Sequence, residues 1–247
     1  MRDETSTAIR LDAVRLTLGQ RDFHFDFGFD VGKITAIVGP SGSGKSTLLN
    51  LISGFEQAET GRIEITGLDV TNMAPSERPV SLVFQDNNLF AHLDLFTNIG
   101  LGINPGLRLT PADRKAISGA LVRVGLSGYE RRLPGSLSGG ERQRAAFARA
   151  LVRSRPILLL DEPFAALDPG LRSSMVDLLA ELHAETSATI LLVTHDPRDV
   201  LRLADHVVFL ENGHVLVNAS KSDFLARTDV TAVRDFLGTT SIAPQSP

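Results

Sequence analysis

The stretch Gly39-Pro40-Ser41-Gly42-Ser43-Gly44-Lys45-Ser46 decides the fold of this chain. It matches the P-loop pattern G-x-x-x-x-G-K-[ST] at every fixed position. An apolar run over 34–38 precedes it and a helical run over 47–52 follows, which predicts strand, loop and helix in that order. Glycines let several backbone N–H groups point at one anion, and the helix N-terminus adds partial positive charge. We therefore expect bound phosphates here, with Lys45 against the β- and γ-phosphates and Ser46 Oγ on Mg²⁺.

Composition limits the classes to which the protein can belong. Its 247 residues allow one large α/β domain. The 25 Lys and Arg residues against 29 Asp and Glu residues give a net charge of −4, so no overall positive field attracts nucleic acid. The absence of cysteine excludes disulfides and cysteine metal sites and fits a reducing compartment. Residues 1–7 lack the pattern of a secretory signal, and no apolar run approaches the ~18 residues that span a bilayer. We expect any membrane role to depend on a partner.

The first third of the chain has the alternation of half-buried strands. Residues 9–29 alternate between apolar and polar, and 23–29 place four phenylalanines on one face. Gly54 supplies a C-terminal stop for the helix after the P-loop, and residues 61–67 alternate again. The half-buried strands are expected to be antiparallel, and this part therefore predicts a mixed sheet around one helix.

The pattern changes at about residue 86. Residues 79–84 form a continuous apolar run, which is typical of a strand covered on both faces. From about 86 to 155 the spacing is helical, and Thr110 before Pro111 is an N-cap followed by proline at the first helical position. We predict a helical lobe inserted into the sheet domain.

Strands return in the last third of the chain. They are predicted over 157–160 and 189–193, with a helix over 171–185 between them. Later residues predict a hairpin that turns at Asn212-Gly213. The polar residues after about Gly238 predict a mobile tail.

Polar residues follow these two strands directly. Asp161 and Glu162 come after the first strand, and His195 comes after the second. Ligands of open α/β sheets bind at the carboxyl edge, where Asp161 could serve Mg²⁺ and Glu162 could activate water. The alternatives are two acids that cap the next helix and a structural histidine. The residues by themselves leave both interpretations open.

A second anion site is possible at residues 137–143, which read Leu-Ser-Gly-Gly-Glu-Arg-Gln. Ser138-Gly139-Gly140 begins a helix that we expect to run to about Val152. A hydroxyl and two unhindered N–H groups at a positive helix end suit an anion. An N-cap with a flexible hinge is an equally good interpretation.

Taken together, these motifs resemble the ATP-binding cassette (ABC) family of ATPases, from about Ile9 to Leu237. The resemblance implies an α/β P-loop NTPase cassette with a RecA-like core, an antiparallel β subdomain and the inserted helical subdomain, in one domain over 9–238. It also implies ATP and Mg²⁺ as cofactors. The residues to which it gives roles are Gly39, Pro40, Ser41, Gly42, Ser43, Gly44, Lys45, Ser46 and Thr47 in the Walker A loop, Gln85 in the Q-loop, Ser138, Gly139 and Gly140 in the signature, Asp161 and Glu162 in Walker B, Asp168 in the D-loop and His195 in the switch.

Within that set the resemblance implies catalytic residues and ligands of the metal, and Gln85 belongs to both groups. Glu162 is implied as the general base, with His195 and Gln85 as further catalytic residues. Ser46, Gln85 and Asp161 are implied as the Mg²⁺ site.

The same resemblance implies partners and a location. In this family two cassettes dock head to tail, and each ATP lies between the Walker A loop of one copy and the signature of the other. We therefore expect a homodimer or a pair with a sister subunit, bound to transmembrane permease subunits at the cytoplasmic face of the cell membrane. A solute-binding protein is an indirect partner, and nucleic acid is not expected.

Two positions depart from the family pattern. Leu18 stands where an aromatic ring usually stacks on adenine, and losing that stacking costs about 1 kcal/mol or less. We therefore expect weaker base selectivity, with Phe23 and Phe25 in the core. Glu141 stands where glutamine is commoner, and a carboxylate is favourable in a first helical turn.

Residues 85–93 and 98–107 resemble the ATPase subunits of bacterial thiamine importers. Because the helical lobe receives the permease in this family, the resemblance predicts the transport system: uptake of thiamine or its phosphates. The alternatives are an importer ATPase for another small solute, an ABC-type ATPase that acts on nucleic acid, a P-loop phosphotransferase and a regulator that does not hydrolyse ATP.

Overall fold

The computed structural model describes residues 7–84, 88–165 and 167–238. Two compact units divide the chain: one holds the residues up to Arg78 and from Thr189 onward, and the other holds Pro79–Ala188. Gln85 and the tail after Gly238, which was expected to be mobile, lie outside the described residues.

The described residues form a series of strands and α-helices. In order they are β1 (Thr7–Leu18), β2 (Arg21–Asp30), β3 (Ile34–Val38), α1 (Lys45–Ser53), β4 (Thr60–Ile65), β5 (Leu68–Asp69), β6 (Val80–Val83), α2 (Leu95–Ile103), α3 (Pro111–Arg123), α4 (Gly139–Val152), β7 (Ile157–Asp161), α5 (Pro169–Thr186), β8 (Thr189–Val193), α6 (Pro197–Leu203), β9 (His206–Glu211), β10 (His214–Ser220), α7 (Lys221–Ala226) and α8 (Thr231–Gly238). Within the described ranges no helix is both long and apolar enough to cross a membrane.

An antiparallel sheet in the first unit confirms the alternation seen in the sequence, but the expected single mixed sheet is wrong, because β3 leaves these strands and pairs with β8 and β9. The strand order of the antiparallel sheet is β2-β1-β4-β5. The inward face of β2 carries a row of buried phenylalanines, so Phe23 and Phe25 belong to the core as predicted; the row is Phe23, Phe25, Phe27 and Phe29. The two-residue strand β5 was not predicted, since its side chains are exposed and give no apolar alternation.

A parallel arrangement surrounds the strand that enters the P-loop. Strand β3 pairs in parallel with β8 on one side and β9 on the other, and β9 pairs antiparallel with β10. The hairpin between β9 and β10 turns at Asn212-Gly213 as predicted, with φ values of 48° and 82°. Because β3 is flanked by paired strands and is wholly buried, its carboxyl end is fixed in place.

Helix α1 ends at its C-cap Gly54 as predicted, and the buried side chain of Arg78 binds the carbonyl groups of its last turn. Arg78 is 1% exposed, and its guanidinium donates to the carbonyl oxygens of Leu51 at 2.7 Å and Ile52 at 3.0 Å, both in the last turn of α1. It also donates to Met73 O at 3.0 Å and Thr71 O at 3.2 Å. Burial lowers the pKa of Arg78. These bonds satisfy helix carbonyls that have no partner within the helix, and a cation there suits the helix dipole.

The second unit confirms the predicted helical segment. Strands β6 and β7 pair in parallel, and α2, α3 and α4 lie between them in the chain. Helix α3 begins at a capping box between Thr110 and Asp113, with Pro111 at its first position. Helix α5 begins at Pro169, two residues before its predicted start, because Asp168 caps it.

Candidate functional site

The P-loop lies between β3 and α1, where the sequence predicts it, and its shape requires glycine. A Cβ at Gly39 would lie 2.1 Å from Leu210 O, and Gly39 has φ of +143°. A Cβ at Gly44 would lie 2.9 Å from Cε1 of Phe23, with φ of +106°. Lys45 is buried, and its Nζ donates to Gly39 O at 2.9 Å and to the next carbonyl at 2.8 Å. The lysine therefore spans the loop whose backbone is expected to hold phosphate.

Two features of the loop suit an anion. The N-cap of helix α1 is Gly44, so no side chain caps its first N–H groups, whereas side chains cap helices α2 to α7. Ser43 Oγ is buried and makes no hydrogen bond within the described part of the chain. Open helix amides and an unsatisfied buried hydroxyl are groups that a phosphate satisfies.

The residues of this loop fit ATP and Mg²⁺. Ser46 and Thr47 lie in the first turn of α1, and the Ser46 side chain is exposed. A hydroxyl is a suitable Mg²⁺ ligand, and Mg²⁺ at triphosphates takes few protein ligands and keeps several waters. Among the described residues, no group of three or more acidic or histidine side chains is placed to hold a metal ion.

Neighbouring strands hold the loop from outside. Gly213 N donates to Ser43 O at 3.0 Å, and His24 N donates to Gly213 O at 3.1 Å, so the β9–β10 turn lies between the loop and β2. Arg21 Nη1 donates to Gly42 O at 3.1 Å. A cavity of about 410 Å³ opens here, lined by residues 20–23, 40–43 and 211–214. Sequence reasoning missed Arg21, because its contact with Gly42 joins residues that are 21 positions apart in the chain.

His195 lies at the same sheet edge as the P-loop. Val193 at the end of β8 pairs with Ile37 near the end of β3, and Thr194 N donates to Ile37 O at 3.2 Å. Thr194 Oγ1 donates to the buried Asp199 at 2.5 Å, which fixes the backbone on which His195 stands. The His195 side chain is exposed. The first unit thus brings His195 and the P-loop to neighbouring strand ends, as predicted.

The two acids lie at the end of β7 in the second unit. Asp161 is the last residue of β7, and Glu162 follows it with φ of 48°, a value that is uncommon for a residue other than glycine. Gln143, which is 2% exposed, donates from Nε2 to Glu162 O at 3.2 Å. Unusual backbone held by a buried amide is typical of functional sites.

The helix that begins at Gly139 has a complete capping box. Ser138 Oγ accepts from Glu141 N at 3.2 Å, and the Glu141 carboxylate accepts from Ser138 N at 2.8 Å. The Ser138 N–H holds the pKa of Glu141 below its usual value, and the Tyr129 hydroxyl lowers this pKa further. Glu141 therefore fits the turn as expected, and Gly139 and Gly140 form its first two positions.

The remaining predicted residue of the second unit, Asp168, is the N-cap of α5. Its carboxylate accepts from Leu171 N at 3.0 Å, and its side chain is exposed. A cap can also contact a partner, so this geometry leaves its implied role as a prediction.

Comparisons with known proteins identify the family. A family model described as ABC transporter matches residues 23–165. The chain is 55% identical over 230 residues to the thiamine import ATP-binding protein ThiQ of Mesorhizobium japonicum, covering 93% of this chain and 91% of the relative. It is 54% identical over 233 residues to ThiQ of Brucella suis biovar 1, covering 94% and 97%.

Solved structures confirm the predicted fold. A nucleotide-free ATP-binding cassette from an ABC transporter matches with a TM-score of 0.81 at 26% identity, over 94% of this chain and 98% of that chain. A dimeric cassette in a post-hydrolysis state, bound to ADP and Pi, matches with a TM-score of 0.77 at 29% identity, over 86% and 98%. The chain therefore belongs to the ABC transporter family and has the fold of its ATP-binding cassettes.

Proposed function

We propose that this chain is the ATP-hydrolysing subunit of a bacterial importer of thiamine or thiamine phosphates. One observation carries the substrate: the relatives that are 55% and 54% identical to nearly all of this chain are thiamine import ATP-binding proteins. The P-loop geometry supports ATP as the energy source, because its open amides, Lys45 and Ser43 suit a phosphate chain.

The proposed mechanism assigns proton transfer, orientation and metal binding to named residues, with Gln85 in the last two roles. Glu162 accepts a proton from water as the water oxygen attacks the γ-phosphorus, and the bond from that phosphorus to the bridging oxygen breaks to leave ADP and phosphate. His195 and Gln85 orient the attacking water and the γ-phosphate. Mg²⁺, held by Ser46, Asp161 and Gln85, would neutralise charge on the phosphates.

We further propose that the site is completed by a second copy of the chain. Ser138, Gly139 and Gly140 would contact the γ-phosphate held by the Walker A loop of the partner, and Asp168 would contact that partner. The dimeric cassette among the related structures supports this proposal. Residues 9–238 would then act as one ATPase domain, with the helical subdomain inserted at about 86–155.

The partners follow from the same role. We place the chain at the cytoplasmic face of the cell membrane, on transmembrane permease subunits that receive thiamine from a solute-binding protein. The permease and the binding protein would select the solute, since this subunit supplies energy.

Reconstitution tests the proposal. The chain is combined with its permease and binding protein in lipid vesicles, and phosphate release from Mg·ATP is measured with thiamine, thiamine monophosphate, thiamine diphosphate or an unrelated sugar. We expect thiamine or its phosphates to stimulate the rate and the sugar to have no effect. Stimulation by none of the three would contradict the substrate assignment, and no ATPase activity would contradict the enzyme assignment.

A further inference from the structure

The tip of the β1–β2 hairpin presents one arginine to the P-loop. Leu18 and Arg21 are direct cross-strand partners on either side of the turn, and Leu16 pairs with Phe23 one step further in. Direct partners point to the same face, and faces alternate with a period of two residues. Leu18 and Arg21 therefore extend the face on which Phe23 packs against Gly44 of the P-loop.

Contacts fix Arg21 beside the loop without using most of its guanidinium. Arg21 Nη1 donates to Gly42 O at 3.1 Å, and within the described residues this is its one hydrogen bond and it forms no ion pair. A Cβ at Gly42 would lie 2.6 Å from the same Nη1 atom. The side chain is exposed, so a planar cation with unused donors and faces stands next to the phosphate-binding loop.

A nucleotide held at the P-loop must place its base in the space around that loop. The cavity bordered by Arg21 and residues 40–43 has a volume of about 410 Å³. That size lies within the range of about 300–1,000 Å³ that is typical of small-molecule sites. Arg21 is the cationic side chain among the residues that line it.

The aromatic side chains near this cavity are Phe23, His24 and His214, and of these the exposed His214 lines the cavity from β10. Phe23 is 5% exposed and packs against Gly44 and Gly213. His24 lies on the other face of β2, and its ring makes an edge contact with His214 at a centroid distance of 6.4 Å. On the face that Leu18 and Arg21 share, the exposed side chains at the hairpin tip are these two, so this face offers one aliphatic group and one guanidinium.

We infer that Arg21 covers the adenine base of ATP, with its guanidinium plane stacked on the ring. The inference rests on the proposed binding of ATP at the P-loop. An arginine plane stacks on bases through cation–π and planar contact, which a leucine cannot supply. Arg21 thus contributes the base contact that Leu18 lacks, and the bond to Gly42 O holds its plane in position.

Binding of two ligands tests the inference. Titration calorimetry compares ATP, which has a base, with inorganic tripolyphosphate, which has none, for the unmodified chain, Arg21→Ala and Arg21→Lys. Arg15→Ala is the matched control, because Arg15 pairs with His24 on the opposite face of the same hairpin. We expect Arg21→Ala to weaken ATP binding by about 3- to 10-fold and to leave tripolyphosphate binding unchanged. Arg21→Lys should weaken ATP binding nearly as much, and Arg15→Ala should change neither.

Other outcomes would overturn the inference in distinguishable ways. Equal weakening of ATP and tripolyphosphate by Arg21→Ala would make Arg21 a phosphate contact or a support for the loop. An unchanged affinity for both ligands would remove Arg21 from the nucleotide site. If the unmodified chain bound tripolyphosphate but not ATP, the base contact would be refuted, whereas binding of neither would refute the P-loop assignment as well.

A rescue variant gives a second readout. In the Arg21→Ala background, Leu18→Tyr should restore ATP affinity by about 3- to 10-fold without affecting tripolyphosphate, because a ring on the same face replaces the stacking. No gain from the tyrosine would contradict the position assigned to the base.

Discussion

Replacing Glu162 with glutamine is expected to lower ATP turnover by about 10²–10⁴-fold, the contribution that a general base makes to proton transfer. Glutamine has nearly the same size and keeps the backbone position after β7, where Gln143 holds the carbonyl of residue 162. ATP affinity should therefore change by less than about twofold, because the amide removes an interaction made in the transition state. Phosphate release measures the turnover, and titration calorimetry measures the affinity.

The same variant should accumulate as a dimer. If ATP lies between two copies and hydrolysis separates them, a chain that binds without turnover stays associated in Mg·ATP. Size-exclusion chromatography with and without nucleotide reports this. Glu185→Gln is the matched control, since Glu185 is an exposed acid paired with Arg123 at 2.6 Å on the surface of the same unit. Wild-type turnover by Glu162→Gln would show that another group activates the water.

Replacing Arg78 with methionine is expected to destabilise the fold by about 3 kcal/mol, because hydrogen bonds from a charged donor are worth about 1.5–3 kcal/mol each and their acceptors stay buried. Methionine fills the space of the aliphatic stem but leaves the carbonyls of Leu51, Ile52, Thr71 and Met73 without their donor. For a chain of this size, the loss corresponds to a fall of about 6–12 °C in Tm. Thermal unfolding followed by circular dichroism measures it.

Two further variants test whether the destabilisation comes from the buried hydrogen bonds of Arg78 or from the loss of a positive charge. Arg78→Lys keeps the cation, but a single ammonium group cannot reach the four carbonyls that the arginine fork reaches. The loss of stability in Arg78→Lys should therefore fall between zero and the loss in Arg78→Met. Arg62→Met is the control for loss of a surface arginine, since Arg62 pairs with Glu64 and Asp69 and is 52% exposed. Its effect should stay below about 1 kcal/mol. Equal effects of Arg62→Met and Arg78→Met would mean that Arg78 does not support α1.

Local sequence patterns predicted most of the fold. The P-loop between β3 and α1, the phenylalanine face of β2, the cap at Thr110 and the turn at Asn212-Gly213 each depend on neighbouring residues, whose preferences act over a few positions. The strand β5 is too short and exposed to leave such a pattern.

Contacts between distant residues could not be predicted in this way. Arg78 reads as a surface arginine until the fold places it on the last turn of α1, 26 and 27 residues earlier in the chain. The unsatisfied Ser43 hydroxyl and the φ of 48° at Glu162 likewise arise from packing. Arg21 contacts Gly42 because the hairpin lies over the loop, and nothing in its neighbours along the chain indicates that contact.

Uptake of thiamine tests the central claim most directly. Vesicles are made with the permease, this chain and ATP inside, and radiolabelled thiamine with the solute-binding protein is supplied outside. We predict accumulation of the label against its gradient, and none when Glu162→Gln replaces the unmodified chain. Accumulation that is the same with Glu162→Gln, or no greater than in vesicles without ATP, would contradict the claim that ATP hydrolysis by this chain drives thiamine import.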